Sequence, residues 1–426
     1  MSSPPEAPAS DVHALAEHVF RHHAGRLHAV LLRIFGTSAL EWIEDVVQDT
    51  FVQALRHWPY RGVPDSPEAW LTQVAKRRAL DRLRRGHCSQ SKQAELTALT
   101  HALLGESWEL EAPTFTAEIN DHVLRLIFGC CSATLSRDSQ VAVTLRLVGG
   151  RSIEEIARAF LVTPSAMARR VQRAKNQIRA SGPMDIPGPD DLATQRTAVL
   201  EVIYLMFNEG HSPTQGGLVS DRDLCAESLR LARLVADHET VGSPDADALV
   251  ALICFVLARL DARHSGIDTL QEQDRRSWDP GLIRLGVKYL GRSARGTVIS
   301  SYHLQAEIAS CHTLAKTWED TDWQRILDRY DALYRLDGSP VVWIHRCVAL
   351  AEVLGAASAL KALKHLAPEE RLRNYVPYLM VQADLLRRLE RRSEAHEAYA
   401  RAEKLSSNAA VQEFCQRKQL TLADAH

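Results

Sequence analysis

The sequence predicts an all-α chain, and three observations carry that reading. Apolar residues recur at spacings of three and four in almost every periodic segment, which is the pattern of an amphipathic helix. Alternating β-branched runs are nearly absent, so no strand pattern competes with it. Turn-forming clusters fall between the periodic stretches, at Pro59–Pro67, Gly86–Lys92, Ala112-Pro113 and Gly182–Pro189, and they divide 426 residues into helical blocks. The expected layout is a frayed tail over 1–10, a first block over 11–86, an acidic linker over 87–117, a second block over 118–181, a short linker over 182–192, and a long helical region over 193–426.

Composition narrows the function classes. Hydrophobic residues make up 46% and charged residues 24%, an ordinary globular balance with apolar mass for several cores. The formal net charge of -2 creates no global field, so any nucleic-acid contact must rest on local patches. Eight cysteines at 88, 130, 131, 225, 254, 311, 347 and 415 form no CxxC pair and no zinc spacing. Cys130 and Cys131 are read as buried apolar thiols, with a redox pair as the rarer alternative. The first ten residues lack the basic and apolar regions of a secretory leader, and no apolar run approaches the roughly 20 residues of a membrane span. A soluble cytoplasmic protein is expected, with no catalytic residue, metal or cofactor.

In the first block, Ile43, Val46, Val47, Phe51, Ala54, Leu55 and Trp58 make one buried stripe. Glu41, Glu44, Asp45, Gln48, Asp49 and Gln53 take the other face; from periodicity alone it is a solvated helix face. After the turn at Pro64-Asp65-Ser66-Pro67 a second helix runs to Arg85. From Lys76 to Arg85 six side chains are basic and only Asp81 is acidic, a density that suits a phosphate backbone. Arg78 and Arg82 share helical phase with Leu71 and Ala75, which leaves open which arginines face solvent. Trp58, Tyr60 and Trp70 lie nearby; stacking on an unpaired base is one reading, and core packing is the better one for Trp58 and Trp70.

The second block reads as a helix-turn-helix. Ser152 is an N-cap ahead of Ile153, Ile156, Ala157 and Phe160, which follow one helical face. Leu161-Val162 make a tight turn, and Thr163 and Pro164 supply N-cap and first position of the next helix. That helix sets Met167, Val171, Ala174 and Ile178 on one side, Arg169, Arg170 and Arg173 on or beside the other, and Gln172, Lys175 and Arg179 between. No carboxylate occurs from 165 to 179. Such a helix suits a DNA major groove, and small Ser165 and Ala166 at its start permit close entry.

The order of these segments is more specific than either alone. Glu-Asp-Val-Val-Gln-Asp-Thr-Phe at 44–51, Ala-Trp-Leu-x-x-Val-Ala at 69–75 and Asp-Arg-Leu-Arg-Arg at 81–85 closely resemble the σ2 domain of the sigma-70 family. Asp121–Arg179 resembles its σ4 domain. The resemblance implies two partners, RNA polymerase core (through its clamp helices and flap region) and promoter DNA. It implies that Asp45, Gln48 and Asp49 face the clamp, and that Lys76, Arg77, Arg84 and Arg85 meet DNA at the −10 element. It likewise implies that Ser165, Arg169, Arg170 and Arg173 meet the −35 element. Arg77 stands where many relatives carry asparagine. The linker, with Glu95, Glu106, Glu109 and Glu111 against Lys92, falls where the family's interdomain linker passes through the polymerase interior. It is read equally as a nucleic-acid mimic there or as a solvated tether.

Beyond residue 182, Val199–Phe207 and Ala248–Leu260 are strongly apolar, and Asp384–Leu405 resembles a tetratricopeptide-like helical pair. Ile203–Gly210, Asp223–Glu227, Asp274-Arg275 and Thr321-Asp322-Trp323 resemble one subfamily of extracytoplasmic-function sigma factors with a long helical C-terminal extension. That resemblance implies that the extension controls activity; a protein or small-molecule regulator of it is an open partner. Ser132 stands where relatives commonly have His, and Trp343–Arg346 where they commonly have Leu-Asn-Arg. The polar stretches Phe207–His211 and Asp268–Asp279 are read as helix caps rather than a catalytic site. Two rival readings remain: a helix-turn-helix regulator with a sensing domain, which leaves the first block without a task, and an interaction scaffold, which leaves both basic helices incidental.

Overall fold

A computed structural model describes residues 23–86, 122–160, 162–211, 220–262, 269–365 and 374–423. The chain divides into two compact units, Met1–Leu205 and Met206–His426. Among the described residues the regular structure is helical, as the periodicity predicts.

In the first unit, helices Leu40–Arg61 and Pro67–Gly86 form a hairpin. Three contacts fix it as antiparallel, because Trp58 meets Trp70, Asp49 meets Arg78 and Asp45 meets Arg82. The stripe expected from sequence is the seam: Ile43, Val47, Ala54, Leu71, Ala75 and Ala79 are fully buried. Gly62, at φ 78°, stops the first helix in a backbone conformation that side chains with a Cβ rarely adopt.

The second block consists of helices Arg137–Leu147, Ile153–Ala159 and Pro164–Ser181. Ser152 accepts from the Glu155 backbone N–H at 3.1 Å while the Glu155 carboxylate accepts from the Ser152 N–H at 2.8 Å, a complete capping box. Thr163 caps the longer helix and Pro164 fills its first turn. Met167, Val171, Ala174 and Ile178 form the buried face. Replacing Ser152 by Ala should lower stability by about 1 kcal/mol, read as an earlier guanidinium midpoint of the first unit.

The two blocks pack into one body. A Cβ on Gly25 would lie 2.3 Å from the Val148 carbonyl oxygen, so helical residues 23–35 approach the end of Arg137–Leu147 at a distance open only to glycine. Thr37 also donates its hydroxyl to the Gly182 carbonyl at 3.1 Å.

The second unit is built around helix Pro244–Leu257, whose residues Ala246–Phe255 are all buried. A helix apolar on every side needs neighbours all round. Arg222–Ala236, Pro280–Ser293 and Ser301–Leu314 pack on it, with Gly286 giving way to the Phe255 ring. Helical pairs Trp323–Asp337 with Pro340–Leu354 and Val376–Arg388 with Arg392–Leu405 follow, and Ala409–Ala423 packs on the last. Small Ala395, Ala398 and Ala402 lie at the contact between the last pair, where the sequence places them.

Within the stretch Asp268–Asp279, three described polar residues have structural partners. Asp274 and Asp279 cap the turn 275–277 and the helix from Pro280. Arg275 donates to the His312 and Ala315 carbonyls at 2.6 and 2.7 Å and lies 4.8 Å over the Trp278 ring. Cys130 and Cys131 are buried free thiols, and burial pushes both up, Cys131 to about 12. Thiols held protonated in an apolar core are inert.

Candidate nucleic-acid and polymerase interface

The acidic face of helix Leu40–Arg61 is open along its middle. Asp45, Gln48 and Asp49 are exposed, and the two aspartate side chains are 60% and 63% accessible. Arg78, from the neighbouring helix, reaches Asp49 at 3.3 Å and donates to Gln53 at 3.0 Å, while Arg82 reaches Asp45 at 3.1 Å. These are the two arginines whose phase left their direction open; they lean back across the hairpin. Exposed pairs of this kind contribute about 0–1 kcal/mol each, so a protein partner can displace them at little cost.

On helix Pro67–Gly86 the basic residues separate. Arg77 and Arg84 are exposed, Arg84 lying 3.7 Å from Asp81. Lys76 is 8% exposed and belongs to the buried side with Thr72, Ala75, Ala79 and Leu80. The resemblance implies that Lys76 meets DNA with Arg77; in this structure its helical phase is that of the core, while Arg77 faces solvent. Arg85's side chain lies outside the described residues, as does the acidic linker over 87–117. Trp58 is 3% exposed and packs on Trp70 with ring centroids 5.7 Å apart, while Tyr60 is 89% exposed just beyond them.

The recognition helix Pro164–Ser181 presents two faces. Ser165, Arg169 and Arg173 are exposed. Arg170 is half-buried, 5.5 Å over the Phe160 ring and 3.3 Å from Asp138, so it fastens the helix-turn-helix together. The other face meets the acidic helix of the first block. Gln172 donates to Glu41 at 2.8 Å, Arg179 lies 3.7 Å from Glu41, Arg146 donates to Glu44 at 2.9 Å, and Lys175 donates to the second Glu44 oxygen. Glu44 and Lys175 are each 9% exposed. The sequence puts Glu44 on the polar face of its helix and Lys175 on the flank of the basic one, and no local signal marks either as buried, since their partners are more than a hundred residues away.

Burial pushes the Glu44 carboxyl up, but the hydrogen bond and charge of Lys175 and the charge of Arg146 outweigh it and hold the group below the usual carboxylate range. Beside it His28 is buried, its Nδ1 2.9 Å from the Ala24 carbonyl oxygen. Burial lowers its pKa to about 4; Glu44 opposes that shift, and Arg146 and Lys175 add to it. An imidazole kept neutral in the folded state favours folding above the unfolded value near 6.5, and that advantage is lost as pH falls toward 4. Denaturant midpoints of the first unit should therefore fall between pH 6.5 and 4, and His28→Gln should flatten the slope.

The second unit holds a cavity of about 360 Å³ with Trp318, Trp323, Tyr330, Met380, Tyr399 and Phe414 in its lining. Among the described residues no cluster of three or more His, Cys, Asp or Glu could hold a metal ion, and no helix is long and apolar enough to cross a membrane.

Two basic helices with exposed arginines, one beside an open acidic face and one in a helix-turn-helix, now have counterparts among known proteins. Residues 19–87 match sigma-70 region 2, and residues 125–178 match sigma-70 region 4. A chain from Rhizobium meliloti (strain 1021), named only as an uncharacterized protein, is 37% identical over 385 residues, 89% of each chain. The chain belongs to the sigma-70 family. This sigma factor is of the extracytoplasmic-function type, takes part in promoter recognition, and has RNA polymerase core and promoter DNA as partners. The region 2 match spans the hairpin that carries Asp45, Asp49, Arg77 and Arg84, and the region 4 match covers the helix-turn-helix as far as Ile178. Residues 195–294 match a family described as of unknown function, DUF6596. No solved structure matches the sigma factor.

Proposed function

We propose that this sigma factor carries polymerase core to its promoter with its first unit and that the region over 193–426 modulates the activity. The observation that carries this reading is the exposure of arginines on two helices in a chain that matches both sigma regions. Asp45, Gln48 and Asp49 are assigned to the clamp helices, with Arg78 and Arg82 giving up their ion pairs on docking. Arg77 and Arg84, with Arg85, are assigned to the −10 element, and the exposure of Tyr60 supports a stacking role on an unpaired base. Ser165, Arg169 and Arg173 are assigned to the −35 element, and Arg170 to holding the recognition helix in place. Lys76 is left out of the DNA-contacting set.

The C-terminal region is read as a tetratricopeptide-like extension of one sigma subfamily. Its cavity has the size and aromatic lining of a small-molecule site, which supports a ligand as regulator. Run-off transcription with core polymerase, on a promoter upstream of the factor's own operon, tests both halves. The full chain and a chain ending at Gly182 should both yield core-dependent transcripts, in amounts that differ. Equal amounts would remove the modulating role, and no transcript from either would remove the sigma role at that promoter.

A further inference from the structure

The walls of the cavity in the second unit specify what it can hold. Trp323 and Tyr330 come from helix Trp323–Asp337, His345 from Pro340–Leu354, Met380 from Val376–Arg388 and Phe414 from Ala409–Ala423, with Trp318 beside them. The Trp318 and Trp323 rings meet at 58° with centroids 4.6 Å apart, and His312 stands edge-on to Trp323 at 5.2 Å. Tyr330 and His345 make a second edge-on pair at 6.3 Å. Rings at these angles leave faces and edges for a flat guest. A volume of about 360 Å³ equals roughly 12 water molecules at about 30 Å³ each, which suits a compound of two or three fused rings.

The charged groups around the cavity neutralise one another. Lys418 donates to Glu272 at 2.7 Å, Arg387 and Arg388 each reach Asp384 at 2.7 Å, and Arg388 also reaches Glu352. Both imidazoles are neutral as well. Burial lowers the His312 pKa to about 3, with the charges of Arg259 and Arg275 adding to the shift, and burial alone lowers that of His345. Among the described lining residues no carboxylate is left for a cation and no cation for an anion. An ionic guest would shed its water without gaining a counter-charge.

His345 supplies the polar handle. The residue is exposed, yet burial depresses its pKa, a combination that arises where a ring faces an enclosed space. Its ring nitrogens make no hydrogen bond to a described residue. A neutral imidazole offers one N–H donor and one bare acceptor nitrogen, so a guest with a polar ring atom gains a bond there that a hydrocarbon does not.

We propose that this cavity binds a flat, uncharged heteroaromatic compound, held among Trp318, Trp323 and Tyr330 and hydrogen-bonded to His345. The proposal rests on the ligand reading of the C-terminal region and adds the ligand's chemical class. Calorimetric titration of the full chain with three probes of one ring system tests it: quinoline, neutral at neutral pH, the N-methylquinolinium cation and the anion quinoline-6-carboxylate. Quinoline should bind one to one, and each ion at least about 30-fold more weakly. His345→Phe keeps a ring in place and removes the hydrogen bond, so quinoline affinity should fall by about 3–10-fold. Met380→Trp fills the cavity and should abolish the binding heat while circular dichroism and the thermal midpoint hold. Where Met380→Trp loses helicity, His345→Phe alone decides.

Tighter binding of either ion overturns the uncharged class. Absence of quinoline binding, or binding that neither variant weakens, overturns the site. The regulating role is read separately by run-off transcription. Quinoline binding that is lost in a folded Met380→Trp with transcription unchanged removes the regulating role and leaves the site. Transcription altered by Met380→Trp, in a chain that binds an ion more tightly than quinoline, leaves a ligand as regulator and removes the class proposed for it.

Discussion

Changing Arg169 and Arg173 together to Glu is expected to lower core-dependent transcription by at least about 30-fold, taking each lost DNA contact at about 1–3 kcal/mol. Both side chains are exposed on the recognition helix, away from its buried Met167–Ile178 face. The thermal midpoint of the first unit should therefore hold while activity falls, and circular dichroism alongside a run-off assay reads both. Arg170→Ala is the informative contrast. Its guanidinium stacks on Phe160 and pairs with Asp138, so the loss should be seen in stability of the block and in activity together. Unchanged transcription after the double reversal would make the basic helix incidental, as the scaffold reading holds.

The second large effect is in the other unit. Phe255 is fully buried in the central helix, and its ring occupies the space that a side chain at Gly286 would need. Phe255→Ala should destabilise the second unit by about 3–5 kcal/mol, the usual cost of a large aromatic cavity. Because the chain has two units, unfolding should be followed with separate probes rather than fitted as one transition. Hydrogen exchange in helices Pro244–Leu257 and Pro280–Ser293 should accelerate, while Leu40–Arg61 keeps its protection. A transcription change in this variant would tie the extension to activity without deleting it.

Much of this is legible in the amino-acid sequence. Ser152, Thr163 and Pro164 announce two helix starts through cap chemistry that acts within three residues, and the structure forms both. The stripes Ile43–Trp58 and Met167–Ile178 give the buried faces because helical phase is a local property. What escaped has a common cause. Lys76 stands in a run of arginines, and only the packing of the hairpin shows that its phase is the core's. Arg78 and Arg82 were ambiguous because a long side chain at the edge of a buried stripe can lean either way. Glu44 and Lys175 lie 131 positions apart, and no pattern within one helix tells a solvated charge from one with a distant partner. The acidic face is divided between a buried contact at Glu44 and an exposed stretch whose Asp45 and Asp49 pair within the hairpin.

Promoter binding with and without core polymerase tests the sigma assignment most directly. Fluorescence anisotropy on the operon-upstream duplex, at two salt concentrations, should show tight sequence-specific binding only when core is present. The chain alone should show weak binding that falls steeply with salt. Tight specific binding by the chain alone, together with failure to co-elute with core, would contradict it and leave a helix-turn-helix regulator in its place.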